Sequence, residues 1–457
     1  MTKNWDILSK ENSLLDKPEL DNLKVLYFIN MFLIITDYLM PQYFGIHIGW
    51  DITCTRFANI LLVLYALCNS KIVTIFSQTV LQFAFTWPLV VYLFVAAYTM
   101  VFRADINALM LVFMEILTLY MLIFGIRYVI GCRRAVKITI FSGYFLGIYG
   151  LIEYVAGHSL YLQFLKTVPS GVVNCYRSGH YRIMGPCGHP LGYGLLLLLL
   201  IAMACYDLEK DDVNLFKRPF LLILLMLNVF LTGSRSTLGI AAVELIIIFL
   251  FCNHVNKKKA LLGILGLLFG LCVFLLLTFK TSIGQYVLMQ ITSMIDQIFG
   301  TEYSVYFGAD ITTLKNSEEY REYLPMIFSL DWLNPLVGRG VKHTFGAEFP
   351  KADGGIIYIR SIDNYYVSQY IKYAYPGLIS YSIFILTTAI MMIRAIVKYK
   401  SGIFKIIFIA SCCYFYNLWW LDALQTLKFE YVFIAIFCAY LMIIEKSGVI
   451  ENNGNYC

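Results

Sequence analysis

The arginines in short polar turns between long apolar runs are the residues best suited to chemistry in this chain. Arg235 lies in residues 231–236, Leu-Thr-Gly-Ser-Arg-Ser, at the start of a predicted helix. A cation there meets the positive end of the helix dipole, which costs a few tenths to about 1 kcal/mol. A bound anion reverses that sign, and with the Ser234 and Ser236 hydroxyls Arg235 would form a phosphate-sized site. An arginine that reaches for lipid headgroups fits the same spacing.

Two more arginines stand at a stretch rich in glycine and proline. Arg177 precedes, and Arg182 opens, residues 182–190, Arg-Ile-Met-Gly-Pro-Cys-Gly-His-Pro. This composition predicts a shaped, non-helical entry into the next apolar run. His180 and His189 lie nearby without the spacing of a metal-ligand pair, so we interpret them as hydrogen-bonded structural groups and propose no metal.

Three further arginines lie in one long polar segment. Arg321 falls on a short helix that Asn316 is predicted to start. Arg339 stands between two glycines in residues 334–340, Asn-Pro-Leu-Val-Gly-Arg-Gly, where the backbone can approach a bulky ligand closely. Arg360 follows near the end of the segment. All three are candidate ligands for an anionic substrate.

Asp363 is an acid just ahead of a later apolar run. Its carboxylate could act as a general base or hydrogen-bond a sugar hydroxyl, but capping the following helix is the simpler interpretation. Asn364 adjoins it, and a group of tyrosines follows: Tyr365, Tyr366, Tyr370, Tyr373 and Tyr375. Aromatic rings stack on sugars, although tyrosine belts at membrane surfaces need no ligand. Asn364 and Tyr366 are therefore candidate binding residues.

The composition indicates where these polar segments lie. The 457 residues are 60% hydrophobic and 14% charged, with a mean hydropathy of +0.71, whereas soluble domains are about half apolar and a quarter charged. We therefore expect an all-α integral membrane protein that forms one domain over residues 1–457. The net charge of +6 comes from basic residues in short loops, so it indicates membrane topology and not nucleic-acid binding.

The apolar runs predict about twelve helices, each of roughly the length that about 30 Å of hydrocarbon requires. They are residues 24–40, 56–69, 80–102, 106–130, 137–156, 190–206, 219–232, 236–252, 260–279, 376–397, 403–420 and 429–445. The basic loop clusters fall on one side if both termini are cytoplasmic. Residues 157–189 and 280–375 then form two external loops, the second of which is the larger.

Some polar residues of the apolar runs have no assigned role. Glu115 and Glu244 lie inside predicted spans, where an ionisable group is a functional candidate by default and hydrogen bonding within the bundle is the alternative. Most of the twelve cysteines also lie in spans and behave as small hydrophobes. Cys175 and Cys187 share an external loop, either as a disulfide or as two free thiols.

In their order along the chain, these motifs resemble the bacterial O-antigen ligase and polymerase superfamily. The shared features are the Leu-Thr-Gly-Ser-Arg-Ser turn, an Arg-x-x-Gly…Pro entry to an earlier span, and a long external loop with a helical arginine followed by Asn-Pro-Leu-x-Gly-x-Gly. In that family the loop closes with a His-Asn pair, nine residues and Gly-x-x-Gly. Here Asp363-Asn364 stand at the pair, and residues 374–377, Ala-Tyr-Pro-Gly, take the place of Gly-x-x-Gly.

The resemblance implies a GT-C-like, inverting glycosyltransferase of the bacterial plasma membrane that uses neither a metal nor a cofactor. The donor would be a glycan on undecaprenyl pyrophosphate, and the acceptor a lipid-linked repeat unit. Arg235, with Arg182, Arg321 or Arg339, would neutralise the leaving pyrophosphate, and Asp363 would be the base. Ligases of the family carry His at this last position, whereas its polymerases tolerate Asp. The resemblance therefore favours a Wzy-type polymerase over an O-antigen ligase.

Two other classes of protein fit parts of the sequence. A polysaccharide flippase or other transporter would share the twelve helices, but such folds usually show repeats and broken helices near the midplane. A non-catalytic assembly factor, in turn, has no reason to place several arginines and an acid at one surface. The sequence leaves open the sugars and their linkage, O-antigen versus capsule, the chain length, the oligomeric state and any protein that regulates length.

Overall fold

The computed structural model describes residues 20, 23–48, 51–177, 179–309, 319–342, 345–351 and 354–454. Most of these residues are helical, and the strands form four separate two-stranded hairpins. The expectation of a helical protein is therefore confirmed. The helix start predicted at Asn316 lies outside the described residues.

The helices follow the apolar runs of the sequence. They are α1 (Lys24–Leu39), α2 (Cys54–Leu67), α3 (Ser70–Gln82), α4 (Thr86–Arg103), α5 (Ile106–Gly125, extended by a π-helical turn at Ile126–Ile130), α6 (Cys132–Ala156), α7 (Leu160–Leu165), α8 (Pro190–Ala204), α9 (Pro219–Leu231), α10 (Arg235–Phe251), α11 (His254–Thr278), α12 (Ser282–Phe299), α13 (Tyr365–Tyr399), α14 (Gly402–Asn417) and α15 (Leu427–Gly454). The antiparallel hairpins are β1 (Gly45–His47) with β2 (Asp51–Thr53), β3 (Cys175–Arg177) with β4 (His180–Arg182), β5 (Tyr206–Asp207) with β6 (Asp212–Val213), and β7 (Ala347–Pro350) with β8 (Ile356–Ile359). Short 3-10 turns occur at Gly185–Cys187, Tyr303–Phe307 and Leu324–Ser329.

Six helices in the described ranges are long and apolar enough to cross a membrane. They are α4, α5 with its π-helical turn, α6, α11, α13 and the Leu427–Lys446 part of α15. A seventh is obtained if α2 and α3, bent by 118° at their junction, count as one span. The apolar helices α8, α9 and α14 are shorter than the roughly 20 residues that a straight crossing needs. The chain thus has the helices of a multi-pass membrane protein, and the count of twelve spans stays a prediction.

The centre of the bundle is α8. Its run of six leucines, Leu195–Leu200, is entirely buried, as expected of a helix that is apolar on every side. It packs against α6, α9, α10 and α14. The apolar α11, in contrast, is exposed along most of its length. Its main helix neighbours are α10 and α12.

Connecting segments contact one another at both ends of the bundle. At one end, segments predicted to be external meet, and the Gly45 N–H donates to the Thr167 hydroxyl at 2.9 Å. At the other end, segments predicted to be cytoplasmic meet, and the Gly402 N–H donates to the Asp211 carbonyl at 3.1 Å. Which end faces the outside of the cell stays a prediction.

The predicted external loop 280–375 has a folded structure in its described part. It contains the amphipathic helix α12, the β7–β8 hairpin and a small apolar core of its own, which includes Leu324, Ile327, Phe349 and Ile359. The helix predicted around Arg321 is present at residues 319–322 and continues, after one turn residue, as the 3-10 turn Leu324–Ser329. The segment is therefore a cap on the bundle rather than a simple connection.

The helix α13 is broken near its start. Ala374 has φ 55° and ψ −167°, a conformation outside the helical region. The break frees two carbonyls of the preceding turn, and these accept hydrogen bonds from Arg339 N–H (to Ile371, 2.8 Å) and Gly340 N–H (to Lys372, 3.1 Å). The predicted span 376–397 is thus the second part of one kinked element, Tyr365–Tyr399, whose first part lies in the predicted external loop.

Replacement of Ala374 by glycine is expected to stabilise the protein by about 1 kcal/mol. A non-glycine residue in this backbone region costs on the order of 1–3 kcal/mol, and the greater freedom of unfolded glycine offsets roughly 0.5–1 kcal/mol of the gain. The measurement is the unfolding midpoint in detergent. The matched control is Ala395→Gly, in a regular turn of the same helix, which should lower the midpoint. An equal loss of stability in both variants would contradict the strain at Ala374.

Candidate functional site

The β3–β4 hairpin holds Arg177 and Arg182 on one face. In its register Cys175 pairs with Arg182, and Arg177 pairs with His180. Paired residues of an antiparallel ladder share a face, and so do residues two apart along a strand. Both arginines therefore project from the same side of the hairpin, at diagonally neighbouring positions. Their spacing in the sequence did not show this, because it depends on the register of the two strands.

Arg182 lies against the turn that carries Arg235. Its Nε–H donates to the Thr232 carbonyl at 2.6 Å, while its Nη2 is buried without a hydrogen-bond partner. Gly233 has φ +61°, and a Cβ there would lie 3.2 Å from the Arg182 Nε. A glycine is thus needed at this position for its backbone conformation and for the close approach of the guanidinium.

Glu153 anchors the backbone that follows Arg182. Its carboxylate is fully buried and accepts three hydrogen bonds, from the Tyr181 hydroxyl (2.7 Å), Met184 N–H (2.9 Å) and Gly185 N–H (3.0 Å). These bonds hold the chain on both sides of the arginine. Glu153 was not a candidate on sequence grounds. The available signal was an acid near the end of the apolar run 137–156.

Arg177, Arg182 and Arg321, which we call the arginine cluster, lie close enough for their charges to interact. Burial, together with the positive charges of Arg182 and Arg321, lowers the pKa of Arg177 to about 10. Burial likewise lowers the pKa of Arg182. The Arg321 Nε is buried without a hydrogen-bond partner, and no carboxylate of the described residues forms an ion pair with the cluster. Three like charges held together in this way favour a bound anion.

Tyr286, from α12, adds a phenol to the arginine cluster. Its ring packs on that of His180 with centroids 4.5 Å apart, and its hydroxyl interacts electrostatically with Arg182 and Arg177. Burial is the largest effect on this group and raises the pKa of Tyr286 to about 12, so the phenol keeps its proton and can donate it. Tyr286 was not a candidate on sequence grounds, because residues 282–299 were assigned to the large external loop with no helix predicted there.

His189 also lies beside the arginine cluster. Burial and the charge of Arg182 lower the pKa of His189 to about 4, so the imidazole is neutral at physiological pH. Its Nδ1 accepts a hydrogen bond from Leu191 N–H at 3.3 Å and caps α8. The interpretation of His189 as a hydrogen-bonded structural group is confirmed.

The Arg235 turn begins α10, as predicted. Arg235 is the first helical residue and is only 7% exposed. The hydroxyl of Ser234 caps the helix by accepting from Thr237 N–H at 3.4 Å, and it lies 2.8 Å from the Thr237 hydroxyl. Ser234 therefore serves the turn itself.

The helix cap at the start of α13 is Asn364 and not Asp363. Asn364 is 5% exposed; its Oδ1 accepts from Val367 N–H at 3.0 Å, and its Nδ2 donates to the Trp419 carbonyl at 2.8 Å. The interpretation of Asp363 as the cap is wrong, because the cap position falls one residue later. Asp363 is half-buried and accepts a hydrogen bond from the Ser361 hydroxyl at 3.3 Å.

Two sets of contacts connect Asp363 with the arginines. The Ser361 N–H donates to the hydroxyl of Tyr320, the neighbour of Arg321, at 2.9 Å. At the C-terminal end of α14, Asn417 donates to Thr237 of the Arg235 turn at 3.3 Å, two residues before the Trp419 carbonyl that Asn364 contacts. The Arg235 turn, the Arg321 helix and the Asp363 segment thus meet around the end of α14.

The remaining candidates make other contacts. Arg339 stacks on Trp332, with 4.9 Å from its guanidinium to the ring centre, and its segment packs on the kink of α13. Gly338 is required there, since a Cβ would lie 2.0 Å from the Lys372 carbonyl oxygen. Arg360 stacks on Tyr358 at 4.6 Å in an exposed position. The hydroxyl of Tyr366 donates to the Phe415 carbonyl at 2.9 Å.

The site thus combines a cationic region, suited to a phosphate or pyrophosphate, with a carboxylate on an adjoining segment. Within the described residues, no three His, Cys, Asp or Glu side chains are grouped so as to hold a metal ion. Cys175 and Cys187 are both free thiols. The chain matches no protein-family model and no curated protein.

Proposed function

We propose that this protein is a bacterial membrane glycosyltransferase that polymerises lipid-linked glycan repeat units, as the resemblance of its motifs implies. The observation that carries the proposal is the arginine cluster, which lies beside the Arg235 turn at one end of an apolar helical bundle. A polyprenyl pyrophosphate is an anion attached to a membrane lipid, so it would reach a cationic site at the end of such a bundle. Arginines suit it because their planar guanidinium groups bind phosphate oxygens in pairs.

In the proposed reaction, a hydroxyl of the acceptor glycan attacks the anomeric carbon of the donor glycan. The new glycosidic C–O bond forms as the C–O bond to the undecaprenyl pyrophosphate breaks, with inversion at that carbon. The electron pair leaves on the pyrophosphate, where Arg182, Arg235 and Arg321 stabilise the developing charge. The acceptor proton goes to the carboxylate of Asp363.

Asp363 also favours polymerase over ligase activity within the resemblance. Ligases of the family carry His at this position, whereas its polymerases tolerate Asp there. The structure of the segment is compatible with a base at this point, since Asn364 performs the capping and Asp363 keeps its carboxylate available. The donor and acceptor would then both be undecaprenyl-pyrophosphate-linked oligosaccharides.

Deletion of the protein in its native host is expected to leave surface glycans of a single repeat unit. Complementation with wild type should restore the ladder of longer glycans on a gel, and complementation with Arg235→Ala should not, because the leaving pyrophosphate loses a charge-assisted donor. Protein levels are compared by immunoblot. Long polymer stranded on its lipid carrier would indicate a ligase, and single units retained on the cytoplasmic face would indicate a transporter. Either result would overturn the proposal.

A further inference from the structure

Glu115, which takes no part in the reaction described above, lies on the inner face of α5. It shares that face with Ala108, Val112 and Leu119, since residues three, four and seven apart lie on one side of a helix. These three neighbours are buried, whereas Phe113, on the opposite face, is 44% exposed. Glu115 nevertheless keeps part of its surface accessible. That surface therefore opens into a crevice inside the bundle and not toward the surrounding lipid.

Three other charged side chains face the same crevice. The charges of Lys372, Arg56 and Asp422 all act on the carboxylate of Glu115, and each of the three residues is partly accessible. They come from separate elements: the first part of α13, the start of α2 and the connection between α14 and α15. We call the space that these four residues share the charged crevice.

The charges of the crevice have few partners in the protein. Among the described residues, the carboxylate of Glu115 and the ammonium of Lys372 form neither a hydrogen bond nor an ion pair. Arg56 donates from Nη1 to a carbonyl of the β1–β2 hairpin at 2.6 Å, and the carboxylate of Asp422 accepts from the N–H of the next residue at 2.8 Å. Unpaired charges inside a helical bundle are costly. A ligand that bonds groups of both signs would therefore be stabilised here.

The balance of charge in the crevice selects the class of ligand. Glu115 and Asp422 repel a phosphate, and Arg56 and Lys372 repel a metal cation. A sugar residue carries no net charge, and each of its hydroxyls both donates and accepts hydrogen bonds. One hydroxyl can therefore accept from a cation of the crevice and donate to a carboxylate. The charged crevice thus suits a sugar better than a free ion.

Buried tyrosines around Glu115 add polar groups to this region. The hydroxyl of Tyr92 is used within the protein, since it donates to the Gln369 Oε1 at 2.7 Å. The hydroxyl of Tyr365, in contrast, is buried without a hydrogen bond of normal geometry, so it is available to a sugar hydroxyl. Five tyrosines interact electrostatically with the Glu115 carboxylate: Tyr92, Tyr365, Tyr373, Tyr381 and Tyr431.

The charged crevice adjoins the segment of the proposed base. The Tyr365 N–H donates to the carbonyls of Leu418 and Leu421, at 3.0 Å each. These bonds tie the start of α13 to the chain just before Asp422. Tyr365 is in turn two residues beyond Asp363. A glycan whose reacting sugar lies at Asp363 would therefore have the crevice within reach.

We propose that the charged crevice binds a sugar residue of the glycan repeat unit, through hydrogen bonds to Glu115, Lys372 and Arg56. The proposal rests on the proposed function. It assigns recognition of the glycan to the crevice, and recognition of the pyrophosphate to the arginine cluster. The sugar belongs to the donor or to the acceptor glycan, because the reacting ends of both meet at Asp363.

The test is binding of a free oligosaccharide to the full-length protein in lipid nanodiscs, measured by saturation-transfer NMR. The probe is the single repeat unit of the native host, released from its lipid carrier by mild acid, so that it has neither lipid nor pyrophosphate. We expect Glu115→Gln to weaken binding about tenfold or more, because the amide loses the charge-assisted hydrogen bond. Lys372→Gln should act in the same direction. The matched control is Glu348→Gln, at an exposed position of β7, and it should bind as wild type does.

Initial rates of chain growth separate the two sources of the sugar. The single lipid-linked repeat unit and a longer lipid-linked glycan are varied in turn. A KM that Glu115→Gln raises for the single unit would assign the crevice to the acceptor, and a KM raised for the longer glycan would assign it to the donor. An unchanged KM for both would contradict the proposal.

Unchanged oligosaccharide binding in both crevice variants would overturn the proposal, and so would an equal loss in Glu348→Gln. A lower unfolding midpoint with normal binding would show that the crevice charges serve only the fold. Lys372→Gln provides the test if Glu115→Gln does not fold. Binding does not require turnover. Oligosaccharide binding that depends on Glu115 in a protein without polymerase activity would therefore reject the proposed function alone, and chain growth with binding independent of Glu115 would reject the crevice alone.

Discussion

Replacement of Arg182 by alanine is expected to slow glycan chain growth by about a hundredfold or more. One preorganised donor to a developing anion contributes on the order of 10²–10³ in rate, and Arg182 has a buried Nη2 without a hydrogen-bond partner beside two further arginines. The measurement is the initial rate of polymer formation by purified protein from lipid-linked repeat units. Arg182→Lys should retain part of the rate, because it keeps the charge and loses the paired geometry.

Stability must be separated from catalysis in this experiment, since the Arg182 Nε–H also bonds the Thr232 carbonyl. The unfolding midpoint of Arg182→Ala is therefore measured alongside the rate. The control is Lys342→Ala, which removes an exposed cation elsewhere in the cap and should leave the rate unchanged. A wild-type rate in Arg182→Ala would remove this arginine from the mechanism. An equal loss in Lys342→Ala would show that general positive charge, and not the arginine cluster, supports the activity.

Asp363→Asn is expected to lower the rate of chain growth by about 10²–10⁴, the usual contribution of a general base. The change keeps the size of the side chain and removes only its ability to take the proton of the acceptor hydroxyl. Binding of the donor should not change, because the donor pyrophosphate is assigned to the arginines. The measurements are kcat and the KM for each lipid-linked substrate.

The helix cap provides the structural control for Asp363. Since Asn364 makes both capping contacts, Asp363→Asn should leave the unfolding midpoint unchanged, whereas Asn364→Ala should lower stability by about 1 kcal/mol. Asp331→Asn removes an exposed acid of the folded segment 280–375 and should leave the rate intact. A normal rate in Asp363→Asn would remove this residue from the mechanism while leaving the arginines in place.

Much of the helical architecture was predictable, because a long apolar run in lipid has to satisfy its own backbone hydrogen bonds. The predicted runs 106–130 and 219–232 agree closely with Ile106–Ile130 and Pro219–Leu231. The prolines at the starts of α8 and α9 also suit a first helical position. The amphipathic α12 and the 118° bend between α2 and α3 were missed, since neither produces a long apolar run.

The types of residue at the site were partly predictable from the sequence, but the individual residues that form it were not. The sequence pointed to arginines because cations outside the cytoplasmic loops need a separate explanation. It did not select Arg177 for the pyrophosphate site, and it offered Arg339 there on equal terms with Arg321. The register of the β3–β4 hairpin and the fold of the segment 280–375 decide which of these arginines come together and which do not. Glu153 and Tyr286 came to light only through their contacts.

The sequence by itself indicated a membrane environment for this protein and the approximate positions of its helices. It also showed which types of residue lie in the polar segments. These follow from composition and from periodicity over a few residues. The tertiary structure alone decided which arginines meet, which residue caps α13 and which charges face Glu115. The contact between Arg182 and Thr232 joins residues fifty positions apart. Such a contact depends on how helices pack and on the register of a hairpin, and no local pattern in the chain specifies either.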